Sequence, residues 1–176
     1  MQKRISLSYY AGLIDGEGSF SIQIQCRKYV KRGKENVKSG KECDLIVFSP
    51  RITMTLYYGN EVLKEMVKDF GGSVYKEKNR PATRWSLGTQ DRCIAVTEAL
   101  LPYLRIKKDI ALRFLKAVKL IKANYRNYTP FMIKEVGHMA LNLNEYKKVK
   151  YPKHLKKMLA VVAKRKAVTE KNDYLV

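Results

Sequence analysis

The chain is short of acids, of histidine and of long apolar runs, and each shortage closes a class of function. Of its 176 residues, 16 are Asp or Glu against 36 Lys or Arg, for a net charge of +20. In a chain of one-domain length, such an excess points to a polyanionic partner. Two histidines, His138 and His154, are too few for a histidine-built metal centre. Three cysteines, Cys26, Cys43 and Cys93, form no CxxC pair and no zinc pattern. They read as reduced thiols, with a Cys26–Cys43 bridge across a hairpin as the alternative. No apolar run approaches the ~20 residues of a membrane span. The N-terminus has no apolar signal core, so the expected setting is intracellular, either prokaryotic cytoplasm or an organelle interior. No segment repeats.

What is present favours nucleic acid over a lipid surface. Hydrophobic residues make up 45% of the chain, enough for a real core, and 12 tyrosines accompany many Gln, Asn, Ser and Thr. A membrane-surface protein would instead show a basic amphipathic helix with bulky apolar residues opposite. Alternation of period two over residues 19–26 predicts a half-buried strand. Phe20, Ile22, Ile24 and Cys26 lie on one side, Ser19, Ser21, Gln23, Gln25 and Arg27 on the other. A basic segment, 27–43, follows as a hairpin tip with seven Lys/Arg and two acids. A second strand is predicted from about Leu45 to Tyr57. A helix capped by Asn60 runs to Phe70 and ends at Gly71-Gly72. Short strands follow at 73–78 and 83–89, then helices from Asp91 to about Leu101 and from Lys107 to Ala123. The last has Ile110, Phe114, Val118 and Ile121 at core spacing. The remainder, 130–168, reads as two helices broken at Pro152. From Lys147 to Val168 there are nine Lys/Arg and no acid, a stretch that either touches phosphates or is solvated.

The most informative stretch is Tyr10-Ala11-Gly12-Leu13-Ile14-Asp15-Gly16-Glu17-Gly18, at the end of a first helix capped by Ser6 or Ser8. Gly12 and Gly16 are four apart and share one helix face, which lets a second backbone come close. Two glycines inside a short helix each cost ~1 kcal/mol relative to Ala, so the face needs a reason. Leu13 and Ile14 are free to enter a core. Gly18 reads as a left-handed terminator. Glu17 then sits where unsatisfied carbonyls already make the field negative, a misplacement unless a cation joins it.

The stretch resembles the motif of the LAGLIDADG family of homing endonucleases and intron maturases. Ala11, Gly12, Leu13, Ile14, Asp15 and Gly18 match, Glu17 keeps the carboxylate of the eighth position, and Gly16 keeps the seventh small. The resemblance implies an α+β fold of order αββαββα over about 5–125. Its four-stranded, saddle-shaped antiparallel sheet has a polar concave face fitted to a DNA major groove, and extra C-terminal helices make a basic tail over about 126–176. It implies one domain for the whole chain.

With one motif, it implies a homodimer joined along Gly12, Asp15 and Gly16. It also implies Mg²⁺ (or Mn²⁺) held by Glu17 and the Gly16 carbonyl, with Asp15 structural, and cleavage of both strands of a long, near-palindromic site to leave 3′ overhangs. Lys107, in Pro102-Tyr103-Leu104-Arg105-Ile106-Lys107, matches a basic residue expected near the scissile phosphate. The usual Gln closing the second strand falls on Thr55 or Leu56, and the usual basic residue after it on Gly59 or Asn60. Thr55 is the polar candidate for that catalytic role. The expected DNA-reading residues are Ser21, Gln23, Gln25, Arg27 and Tyr29, then Arg51, Thr53 and Thr55, and finally Lys76, Lys78, Arg84 and Ser86. Two other readings of the same fold are an intron-RNA maturase and a DNA-binding regulator without catalysis.

Overall fold

The computed structural model describes residues 5–27, 45–58, 60–125 and 128–143. Helix α1 spans Leu7–Glu17 and is started by the Ser6 hydroxyl, which accepts from the Tyr9 N–H at 3.3 Å. Strands β1 (Gly18–Arg27) and β2 (Leu45–Leu56) follow, then α2 (Asn60–Phe70), β3 (Ser73–Lys76), β4 (Thr83–Leu87), α3 (Gln90–Leu100), α4 (Lys108–Ala123) and α5 (Pro130–Asn142). The four strands form one antiparallel sheet in the order β1-β2-β4-β3. All five helices join its apolar side through one core. Phe20, Ile22, Ile52, Met54, Trp85 and Leu87 supply the sheet's share, and Ile14, Leu63, Cys93, Phe114, Val118 and Ile133 part of the helices' share.

Local chemistry explains the boundaries. Pro50 lacks a ladder N–H yet lies in an inner strand; β4 pairs only with Ile52–Leu56, so beside Pro50 the strand has β1 as its sole partner. Gly71 and Gly72 end α2 with φ of 77° and 93°, a region that side chains avoid. The Trp85 indole N–H donates to the Gly71 carbonyl at 2.8 Å and ties this corner to the core.

Three sequence expectations change. Gly18 is not left-handed: its φ is −79° and ψ 160°, extended backbone. Glycine is required there for space, because a Cβ would lie 2.6 Å from the Ile14 carbonyl oxygen. Thr89 takes the N-cap position of α3 without a side-chain capping bond, and Asp91 lies inside its first turn. The region after 125 is not all tail. Met132, Ile133 and Val136 of α5 are buried in the common core, because α5 packs on α4 and β1. The second helix expected near Pro152 and all of the basic 27–43 segment after Arg27, Tyr29 included, lie outside the described residues. No helix among the described residues is long and apolar enough to cross a membrane.

Candidate nucleic-acid interface and metal-binding end

Helix α1 is held by its inner face and left bare on its outer one. Tyr10, Ala11 and Ile14 are buried, and the Tyr10 hydroxyl donates to Asp69 at 2.9 Å. On the outer face Gly12 and Gly16 are exposed, and a Cβ at either would meet nothing within 4 Å. Nothing among the described residues requires glycine at these two places.

Asp15 does not belong to that bare face. It is 9% exposed, and its carboxylate turns inward to accept backbone N–H groups of Arg105 (2.7 Å), Ile106 (3.2 Å) and Lys107 (2.9 Å). Within the chain its carboxylate fixes the loop before α4, the structural part that the family resemblance implies for it. Burial works to raise its pKa, but the three N–H donors and the Lys107 charge outweigh it and hold the carboxyl below its ordinary 3.8.

That loop delivers Lys107 to the end of α1. Its Nζ donates to the carbonyl oxygens of Ile14 (3.0 Å), Asp15 (2.6 Å) and Gly16 (3.1 Å). The cation demanded by a carboxylate at a helix C-terminus is thus partly supplied by the chain. Burial lowers the Lys107 pKa below 10.5, against the opposing charges of Asp15 and Glu17. Glu17 itself is exposed and makes no ion pair among the described residues.

The donors at this end fit a hard divalent cation. They are an exposed carboxylate on Glu17 and the Gly16 carbonyl, whose oxygen also accepts from Lys107 Nζ. Among the described residues no cluster of three or more His, Cys, Asp or Glu forms a complete protein cage. One carboxylate with waters and substrate phosphates is the pattern Mg²⁺ accepts.

The sheet's other face starts at this same end. Gly18 pairs with Met54, so Glu17 enters beside Thr55, which pairs with Arg84, which pairs with Tyr75. Arg84 Nε donates to Thr55 Oγ1 at 3.1 Å. Further along, the register sets Ser21 beside Arg51 and Thr53 beside Ser86. Gln23 is exposed and Gln25 half-buried on this face, and Arg27 closes the strand. Ser21, Gln23, Gln25, Arg51, Thr53, Thr55, Arg84 and Ser86 therefore form one polar surface.

Two of the expected readers fall elsewhere. Lys76 pairs with Thr83, whose side chain is buried, so it stands on the opposite face from Arg84; Lys78 lies in the turn beyond β3. Tyr75, 44% exposed, takes the place beside Arg84. The four-residue β3 has no buried alternation from which its facing could be read; only pairing to β4 fixes it.

The sequence pattern of the LAGLIDADG endonuclease family matches residues 10–119. No curated protein matches the chain. Among solved structures, the fold is similar to the archaeal intron-encoded homing endonuclease I-Vdi141I complexed with DNA, with 20% identity and a TM-score of 0.67 over 90% of this chain and 94% of that one. It is similar to the homing endonuclease I-TnaI, with 17% identity and a TM-score of 0.68 over 91% and 99%. It is similar also to I-SmaMI bound to cleaved DNA, with 13% identity and a TM-score of 0.65, where 82% of this chain covers 46% of that one.

Proposed function

The chain belongs to the LAGLIDADG endonuclease family, and from that premise we propose that it is a site-specific homing endonuclease working as a homodimer on duplex DNA. The observation that carries the reading is one juxtaposition. An exposed Glu17, a bare Gly12/Gly16 face and the inner end of a polar sheet surface meet at one helix end. A second α1 packed on the glycines would bring two Glu17 carboxylates together, a repulsion that divalent cations relieve. That this chain covers most of I-TnaI but under half of I-SmaMI supports a site assembled from two copies.

In this reading Glu17 and the Gly16 carbonyl hold Mg²⁺ or Mn²⁺ together with DNA phosphate oxygens. When bound, such an ion supplies an activated water and stabilises the departing 3′ oxygen. The chain's own residues do the rest. Asp15 fixes the 105–107 loop, the loop holds Lys107 against the α1 carbonyls, and Lys107 keeps a positive charge next to Glu17. The polar sheet surface orients a long, near-palindromic site. Each protomer acts on one strand, leaving 3′ overhangs, as expected of an intron-encoded enzyme of this family.

The test is Glu17→Gln on DNA carrying the intron-insertion site. Cleavage in Mg²⁺ is lost while binding stays within a few-fold of wild type, because only the ligand charge is removed. Cleavage by the variant at the wild-type rate would falsify the metal assignment. A wild type that binds the site yet never cuts it points to the regulator.

A further inference from the structure

We propose that Arg84 reads a guanine at the inner end of each half-site, beside the cleaved bond, and that Glu77 holds it in the reading pose. The inference rests on the reading of the polar sheet face as the DNA-contacting surface. Arg84 stands on that face, 34% exposed at its side chain. Its Nε–H donates to Thr55 Oγ1 at 3.1 Å, and Glu77 Oε1 lies 2.8 Å from the same nitrogen as an ion-pair partner without a hydrogen bond of its own. Both contacts use Nε, so the terminal nitrogens keep four further N–H donors. Glu77 is 21% exposed and also faces Arg80 at 3.8 Å.

Three physical points turn this into a specific ligand. First, a phosphate contact favours an uncompensated cation, whereas the charge on Arg84 is already balanced by Glu77. Its remaining value lies in direction rather than in charge. Second, a guanidinium fixed at one edge presents its other donors as a planar fork. That fork matches the O6 and N7 acceptors of guanine in the major groove, and of no other base. Third, position follows from register. Arg84 pairs with Thr55, Thr55 follows Met54, and Met54 pairs with Gly18, the residue after Glu17 at the end of α1. Gln25 lies eight residues along β1 from Glu17, about 27 Å at ~3.4 Å per residue. The Arg84 contact therefore falls nearest the cleavage end, and the glutamine contacts fall outside it.

The experiment selects binding sites from randomised duplexes with the full chain as wild type, Arg84→Gln, Arg84→Lys, Glu77→Gln and Gln23→Ala, followed by salt titrations on the selected sites. The wild type is expected to enrich a guanine inside the positions altered by Gln23→Ala. Arg84→Gln loses that one preference, by about 5- to 150-fold, and keeps the others with an unchanged salt slope. Arg84→Lys keeps the charge and fold but relaxes the same position, and Glu77→Gln weakens it without touching the rest. An unchanged consensus in Arg84→Gln overturns the proposal. So does a uniform loss across all sequences with a log–log slope shallower by about 0.9, the signature of a phosphate contact. A wild type that enriches no consensus overturns the site-specific reading itself, and Arg84's role with it.

Discussion

Asp15 shows how much one side chain decides. Residue type alone does not tell apart two carboxylates two residues apart at a helix end; only the family resemblance implies that Glu17 is the ligand and Asp15 structural. The structure separates them: Asp15 is spent on three backbone N–H groups, while Glu17 stays exposed. Asp15→Asn should therefore destabilise the fold by about 1.5–3 kcal/mol, since hydrogen bonds to a charged acceptor are lost and one amide edge now faces donors. Urea denaturation measures this; a change under 0.5 kcal/mol would contradict the role. Cys93 gives a second residue-scale outcome. Burial pushes its thiol up to about 12, and its Sγ lies 3.6 Å from the Leu87 carbonyl. In native protein at pH 8 it should resist alkylation, because the thiolate is the reacting form. Mass mapping of the labelled residue checks this, and rapid labelling before unfolding would show that Cys93 is not packed as described.

Among the elements, α1 and β1 were the most legible in the sequence and β3 the least. The alternation of Phe20 and Ile22 with Ser21 and Gln23 reports burial on one side of β1 directly, and the structure has the same facing. Strand β3 is short and lies at the sheet edge, so its facing is set by its partner rather than by its own pattern; hence Lys76 gave way to Tyr75. Lys107 illustrates a different limit. The motif resemblance marked the residue, but that its ammonium reaches three α1 carbonyls depends on a loop 90 residues away in the chain, fixed by Asp15. Gly18 was legible as necessary but for the wrong reason, since close packing on Ile14 leaves no trace in local sequence. Gly18→Ala should cost about 1–3 kcal/mol by forcing α1 from β1. By contrast Gly12→Ala should leave the monomer's fold intact or slightly firmer, as its Cβ meets nothing. Gly12→Leu should abolish dimerisation in sedimentation. A dimeric Gly12→Leu protein would show that the glycine face is not the interface.

At the scale of the whole molecule, charge and shape divide the labour. The chain carries +20, yet the sheet face mixes Gln, Ser and Thr with its Arg. On the proposed reading, phosphate contacts are expected to set affinity and base contacts to set choice. Lys148 and Lys156, beyond the described residues, are expected to contribute to all sequences alike, and Gln23 or Gln25 to particular base pairs by ~1–3 kcal/mol. The family and the order of elements were readable from nine residues and two periodicities, whereas the joining of α5 to the core was not, because its burial depends on α4 and β1 together.

The central claim is that two copies each place one Glu17 beside one DNA strand. It is tested most directly with mixed dimers. Wild type and Glu17→Gln are co-expressed with different tags, the heterodimer is purified, and supercoiled plasmid carrying the insertion site is incubated with it in Mg²⁺. One active Glu17 per dimer predicts nicked circles, cut on one strand and accumulating without linear product. Linear plasmid at the wild-type rate, or no cutting at all, would contradict a site built from two independent strand-cleaving halves.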